Sequence, residues 1–397
     1  MADDFYFNPY DENFRANPYP HYGALLSGPP RLMDFGMKLG LVARYADVRR
    51  VLMDHETFSS RPPEGPLFQQ QNDMFGNAAS MLSSDPPVHT RLRRLVARDF
   101  TPRRIGALEP RIREIAHSLL DRAEARGRFE VIADLATPLP VMVIAELLGV
   151  PAENYEQFKD WSDRIIESDN VGPGMQMPQE IKDAFGQLSE YFAAEIERRR
   201  REPGTDLVSA LVAAHDQSEA LSADELLQFV ILLLLAGNET TTNLIGNGSL
   251  ALARNSAEGS RLQNDPSLMK SAIEEMLRYD SPVQATFRTA TRDCEIGGTE
   301  FHAGNGLFVI VGASNRDPAQ FPNPERFDIA RHPNEHFSFG DGIHFCIGAP
   351  LARLEAAIAF GAMLERFGAP RLKSPDAPLT YKGSFFLRGL AQLELAL

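Results

Sequence analysis

The feature that most restricts the fold is the stretch "SADELLQFVILLLLAGNETTTNLIGNG" that begins at residue 222. Ser222 is a ready N-cap, Glu225 stands three residues on to complete a capping box, and Leu221 with Leu226 forms a hydrophobic staple. These signals predict a helix from about Ala223 past Gly246. Its oily run, residues 229 to 237, is far shorter than the roughly 20 apolar residues of a membrane span, so the helix belongs in a protein core. Yet its middle reads "AGNETTTN", a glycine and polar side chains inside the most apolar part of the chain. An interior glycine costs about 1 kcal/mol against alanine, and buried polar groups demand partners. Rule-breaking of this kind marks a site.

A helix of this sort needs other helices around it, and the pattern supplies them. Between residues 85 and 280 apolar positions recur three and four apart, as in "LEPRIREIAHSLLDRAEA" and "IKDAFGQLSEYFAAEIERRRR". Strand-like pieces are short and peripheral, at 39 to 45, 284 to 291, 294 to 301 with a Gly-Gly hairpin signal, and 307 to 313. The fold class is mainly α with small sheets. Although 397 residues would accommodate two or three domains, no repeat, linker or boundary divides them. The expectation is one domain over 1–397, with a β-richer start to about 60, a helical body over about 85–280 and a mixed part over 281–397.

Forty basic against 54 acidic side chains give a net charge of −14, which argues against nucleic acid or an anionic membrane as partner. The acidic, proline-rich start has no secretory pattern. The two cysteines, Cys294 and Cys346, make neither a disulfide framework nor a zinc site, and a reducing cytoplasm is expected. Cys294 lies in a strand without donors around it and reads as packing.

Cys346 is different. "FSFGDGIHFCIG", residues 337 to 348, surrounds it with Gly340, Gly342 and Gly348, and "APLARLEAAIAF" starts a helix directly behind, with Pro350 in its first turn. A thiolate needs backbone N–H donors, a helix N-terminus or a cation to stay charged under cover, and this arrangement offers the first two. A free cysteine is ordinarily a small buried hydrophobe, and it is the glycines that argue otherwise here.

This segment resembles the haem-binding loop of the cytochrome P450 superfamily, in which Phe, Gly, Gly, a basic residue, Cys and Gly recur at these spacings. The resemblance implies a cytochrome P450 fold around a buried haem, with Cys346 as the axial thiolate and iron ligand, Phe339 beside the sulfur, Gly340 and Gly348 in the loop, and His344 on a haem propionate. Asp341 departs from the pattern, where many bacterial members carry His or Gly. The absence of C-x-x-C-H indicates non-covalent haem b. "AGNETT" is similar to the family's oxygen-activating turn, which sets Ala236 and Gly237 against the haem and makes Glu239 and Thr240 an acid-alcohol pair. Being four apart, Ala236 and Thr240 share a face, and the Thr240 hydroxyl can back-bond to the carbonyl of residue 236. His89 and Arg93, one turn apart in "DPPVHTRLRRLVARDF", and Arg288 in "TFRTA" match propionate donors. Glu275 and Arg278 match the family's Glu-x-x-Arg, and Arg326 in "NPERFD" matches its third, structural member.

The same resemblance implies a monooxygenase that inserts one atom of O2 into a hydrophobic small molecule, most simply as hydroxylation, with electrons from a separate ferredoxin and reductase. Arg91, Arg94, Arg98, Arg103 and Arg104, opposed only by Asp99, form the expected docking patch for an acidic ferredoxin; a solvated charged face is the competing reading. Phe68, Met74, Phe75, Leu233, Val283, Phe385 and Phe386, with the loop over 170 to 178, are the expected pocket lining. A peroxide-driven haem-thiolate enzyme and a non-enzymatic haem carrier or sensor are the alternatives. Neither would need the Glu239-Thr240 pair.

Overall fold

The computed structural model describes every residue except 1–6, 10, 35–37, 63–79, 99, 171–175, 219–221 and 383–385. Leu221, Phe68, Met74, Phe75, Phe385 and Asp99 therefore lie outside the described residues.

The long helix forms as its cap predicts and runs Ala223–Arg254. The Glu225 N–H donates to Ser222 Oγ at 3.1 Å, and the Glu225 carboxylate accepts from the Ser222 N–H at 2.8 Å. Leu226, Val230, Ile231, Leu234, Leu244, Ile245 and Leu252 are all buried along it. Each such side chain contributes about 1.5–3 kcal/mol, which outweighs the roughly 1 kcal/mol cost of an interior glycine. The helix is apolar and long enough to cross a membrane, yet 72% of its most apolar window is buried inside the protein, as for a core helix.

Helices Pro138–Leu148, Gln179–Arg201, Met269–Tyr279 and Ala349–Phe367 pack around it. Pro138–Leu148 reads "PLPVMVIAELL", apolar except for Glu146, because most of it is covered. Glu109–Ala125 lies behind it and also packs on Ala349–Phe367.

To one side lies a five-stranded sheet in the order Arg31–Asp34, Lys38–Val42, Gly306–Val309, Thr286–Ala290, Phe58–Ser59. Only the pair of Lys38–Val42 with Gly306–Val309 is parallel. Leu39, Leu41, Ala285, Phe308 and Ile310 form a second core with Phe14, Tyr22 and Leu25. The Gly-Gly hairpin is present: Cys294–Ile296 pairs with Thr299–Phe301 across Gly297 and Gly298, both at positive φ, as a tight hairpin turn requires. The expected strand over 307 to 313 ends earlier. After Val309 the chain turns into a short helix, Val311–Ser314, because the Gly312 N–H is captured by the Gln284 carbonyl at 2.9 Å rather than by a neighbouring strand.

Candidate active site

The cysteine loop is built from backbone hydrogen bonds. The Cys346 N–H donates to the Phe339 carbonyl at 2.9 Å and the Gly340 N–H to the Phe337 carbonyl at 2.8 Å, closing the loop on itself. Asp341, the departure from the family pattern, caps the short turn Gly342–His344 by accepting from the Gly342 N–H at 2.8 Å. Gly342 has φ of 65°, and a Cβ there would come within 2.6 Å of the Leu52 carbonyl oxygen, so only glycine fits. Helix Ala349–Phe367 starts immediately after.

Cys346 is accessible although protein closes round it, which places it on the wall of an interior cleft. Burial pushes its thiol up, against the opposing pull of the Gly348 and Ala349 N–H groups and of Arg93 and Arg353. A site of Cβ position on Gly348 would lie 3.8 Å from the sulfur, so the backbone itself approaches it. Protein groups alone do not overcome the cost of charging this sulfur, whereas coordination to a metal ionises a thiol outright.

Beside the loop stands a basic wall. The His89 and His344 rings lie 4.1 Å apart, and His344 Nε2 sits 2.9 Å from Ser60 Oγ. Arg93 donates to the Phe345 carbonyl at 2.6 Å. Arg288, 6% exposed, donates to the Phe287 carbonyl at 2.6 Å and has no ion pair among the described residues. His89 is buried with Nε2 unpartnered. Burial, with Arg288, His89 and Arg93 nearby, pushes His344 down to about 3. Burial likewise pushes Arg288 down to about 10, opposed only by Asp85. That carboxylate is already engaged by Ser59 Oγ at 2.5 Å and the Ser60 N–H at 2.9 Å. Two buried bases, His89 and Arg288, with the half-buried Arg93 and His344 beside them and so little opposing charge, are a carboxylate site by composition.

On the central helix, Leu233, Gly237 and Thr240 share a face with Ala236. Ala236 is exposed and Gly237 and Thr240 half-buried in the midst of a buried helix, so this face too borders a cleft. Thr240 Oγ1 donates to the Ala236 carbonyl at 2.8 Å, the expected back-bond. Glu239 points elsewhere: it is 3% exposed, and both its oxygens accept from Lys382 Nζ at 3.0 Å. Sequence reasoning missed Lys382, which lies far along the chain and outside every recognisable motif.

The Glu-x-x-Arg pair is completely buried, with Arg278 Nε 2.7 Å and Nη2 2.8 Å from the Glu275 oxygens. Arg278 also donates to the carbonyls of Asn315 and Pro324 at 2.9 and 3.0 Å. The third member is not Arg326. That side chain is 67% exposed and reaches only Asp328 at 3.8 Å, while its carbonyl accepts from Arg278 and Arg331. Arg331 holds Glu275 instead, at 3.1 Å. The Asn323–Arg326 turn, with Asn323 at φ of 50°, aims the Arg326 carbonyl inward, so an arginine five residues later fills the place. The cluster connects to the cysteine loop through Asn315, whose Oδ1 accepts from the Phe337 N–H at 2.8 Å and whose Nδ2 donates to Ser338 Oγ at 2.9 Å.

Two further expectations are corrected. Arg91 is not a free docking residue: its guanidinium grips Glu225 at 2.5 and 3.0 Å and ties helix Val88–Val96 to the start of the central helix. Arg94, Arg98, Arg103 and Arg104 are exposed. Phe386 packs on Phe308 with ring centroids 5.9 Å apart, in the second core rather than on the cleft wall. Val283 is half-buried and bridges to Leu387 through its backbone, and Leu233 is 7% exposed.

Such a fold, with a cysteine on a glycine-built loop ahead of a helix that packs on a long polar-centred one, defines a haem-thiolate oxidoreductase. The Cytochrome P450 family model matches residues 31–388, and the chain belongs to that family. It is 41% identical over 393 residues to the cytochrome P450 monooxygenase PikC of Streptomyces venezuelae, covering 97% of this chain and 92% of that protein. It is 40% identical over 367 residues to the mycinamicin IV hydroxylase/epoxidase of Micromonospora griseorubida, covering 91% and 90%. Its fold matches the solved structure of the bacillaene polyketide synthase cytochrome P450 PksS of Bacillus subtilis with a TM-score of 0.89 at 37% identity, covering 99% of this chain and all of that one. The protein is accordingly a cytochrome P450 monooxygenase that uses haem with a cysteine-ligated iron, dioxygen, a hydrophobic substrate and redox partners. The residues fit that cofactor: an accessible sulfur on a cleft wall, and beside it buried bases with an orphaned nitrogen ready for the propionates.

Proposed function

We propose that this monooxygenase hydroxylates a hydrophobic small molecule, with Cys346 as the thiolate that would hold the haem iron and with electrons delivered by a ferredoxin and its reductase. The observation that carries the reading is the accessible Cys346 enclosed by the Gly340–Gly348 backbone, next to the basic wall of His89, Arg93, Arg288 and His344. The haem, when bound, supplies the redox chemistry, and thiolate ligation favours cleavage of the O–O bond. Phe339, its carbonyl on the Cys346 N–H and its ring under the Arg353 guanidinium at 4.4 Å, holds the loop in shape. His89, Arg93, Arg288 and His344 would hold the propionates. Thr240 passes protons from Glu239 into the cleft, giving up its bond to the Ala236 carbonyl to do so. Glu275, Arg278 and Arg331 are the frame.

Arg94, Arg98, Arg103 and Arg104 form the ferredoxin-docking patch, an exposed basic stripe on a protein of net charge −14. Among relatives, one is named for polyketide biosynthesis and another for mycinamicin IV, which favours a polyketide as substrate. We place the whole chain, working as one catalytic domain, in the cytoplasm, where its two cysteines stay reduced and ferredoxins are at hand.

The test is optical and then kinetic. Reduced protein under carbon monoxide is expected to show the strongly red-shifted Soret band of thiolate ligation, and Cys346→Ala to lose it. Dioxygen consumption supported by NADPH with ferredoxin and reductase, but not product formation from peroxide alone, supports the electron route; the reverse pattern defeats it.

A further inference from the structure

Lys382 is absent from every motif, yet it makes the closest contact to the relay carboxylate. Its Nζ lies 3.0 Å from each oxygen of Glu239, whose side chain is 4% exposed, while the lysine side chain is 30% exposed. The pair thus bridges from the interior to solvent. A carboxylate this deep is costly unless a cation answers it, and among the described residues Lys382 is the one side chain that bonds to it.

The position of the lysine is itself enforced. Glu239, Asn243 and Asn247 lie four apart on one face of the central helix, and Lys382, Gly389 and Arg388 meet that face in turn. Asn247 Nδ2 donates to the Arg388 carbonyl at 2.9 Å. A Cβ on Gly389 would be 1.7 Å from Asn243 Oδ1, so the Asn243 side chain lies directly against the Gly389 backbone. The Lys382 N–H donates to the Gly389 carbonyl at 2.9 Å, and Tyr381 bridges to Leu390. Next to the ion pair, Lys382, Tyr22, Gln284, Leu387 and Arg388 line a cavity of about 20 Å3, room for one water molecule.

On the Thr240 side the need is equally specific. The hydroxyl proton is committed to the Ala236 carbonyl, so Thr240 can pass it on only if another proton replaces it. We propose that Lys382 is a positioning residue of the proton relay: it holds Glu239, the residue before Thr240, as an oriented carboxylate between the helix and solvent, where water beside the lysine resupplies the proton each turnover consumes. This rests on the relay role given to Glu239 and Thr240 above. The balance is set by the two electrons from reduced ferredoxin and two protons taken up per dioxygen. Delivered through the relay, they release one oxygen atom as water while the other enters the substrate. Without it, the same electrons and protons leave as hydrogen peroxide. When no substrate is present, relayed dioxygen is reduced fully to water by two further electrons and protons.

The partition can therefore be read without knowing the native substrate. The holoenzyme, supplied with NADPH, ferredoxin and reductase, is assayed for peroxide formed per NADPH consumed and for its change in deuterated water. Lys382→Met is expected to raise the peroxide share and slow water formation by about tenfold, within the range of a lost proton-transfer path. Its carbon monoxide spectrum should be unchanged, and Lys382→Arg should restore most of the partition. The Lys382→Met/Glu239→Gln double variant should match Glu239→Gln alone. A second readout needs no turnover: in nitrogen-labelled protein the Lys382 ammonium should exchange slowly with solvent and lose that protection in Glu239→Gln. If Glu239→Gln shifts the partition while Lys382→Met does not, or if the ammonium is unprotected in the wild type, the role of Lys382 is overturned and the relay stands. If Glu239→Gln also leaves the partition unmoved, the relay falls and the inference with it.

Discussion

Glu275 and Glu239 are both buried carboxylates, one behind the cysteine loop and one on the central helix, and they are held in opposite ways. Glu275 accepts from Arg278, Arg331, Asn334 Nδ2 at 3.2 Å and the Asp328 N–H at 3.0 Å, and Arg278 spends its remaining donors on carbonyls. Glu239 accepts from Lys382 alone among the described residues. A group with four partners from two segments is locked, since moving it breaks every bond at once, whereas a group with one flexible partner can exchange it. The difference separates two tasks. A metal ligand has to stay still, and a proton carrier has to move.

The largest expected effect tests the locked side. Arg278→Ala leaves Glu275 charged at zero exposure and is expected to cost about 3–5 kcal/mol, measured by urea unfolding of the haem-loaded protein. Arg331→Ala should cost less, on the order of 2 kcal/mol, because Arg278 remains. Arg326→Ala should stay within about 0.5 kcal/mol, as for any exposed side chain. Equal losses at positions 326 and 331 would refute the assignment of the third member.

The mobile side predicts the reverse profile. Thr240→Ala is expected to leave unfolding within about 1 kcal/mol of the parent, since one half-exposed hydroxyl bond is lost. Product formed per NADPH should nevertheless fall by about tenfold or more. Coupling that survives the substitution would remove Thr240 from the relay.

This contrast also explains what could be read from the chain beforehand. The capping box at Ser222, the Thr240 back-bond and the buried Glu275–Arg278 pair rest on residues within four positions of each other, and the cysteine loop on one stretch of twelve, where helical and turn geometry fixes the outcome. What failed depended on contacts across distance. "NPERFD" points to the correct turn, but whether a side chain or a carbonyl enters from it depends on the left-handed Asn323. Phe386 and Phe385 are indistinguishable as a dipeptide, and packing of the sheet against Phe308 decides where Phe386 goes. The Arg91–Glu225 and Lys382–Glu239 pairs join residues 134 and 143 positions apart, with no local pattern to announce them.

Acid should distinguish the two sides as well. Glu274, one residue before the locked glutamate, is pulled down to about 2: burial opposes its charge, and Arg353 at 2.6 Å with His336 at 3.2 Å more than compensates. A carboxyl lowered on folding stabilises the protein above its unfolded value near 4.5, and that stabilisation disappears as pH falls toward 2. Melting temperature should therefore drop between these limits, with a shallower fall in Glu274→Gln. Because Arg353 also lies over the Phe339 ring, haem release should follow the same acid limb.

The smallest effect concerns the protein's outside, where Arg91 and Arg98 differ as the two glutamates do inside. Arg98 is exposed, so Arg98→Glu should raise the KM for reduced ferredoxin several-fold, about 1 kcal/mol, with kcat nearly unchanged and with the difference shrinking as salt is added. Arg91 is committed to Glu225, so Arg91→Ala should appear as a loss of under about 1 kcal/mol in stability. If Arg91→Ala instead raises that KM as much as Arg98→Glu does, the ion pair opens when the partner docks. The start of the central helix would then belong to the electron-transfer face.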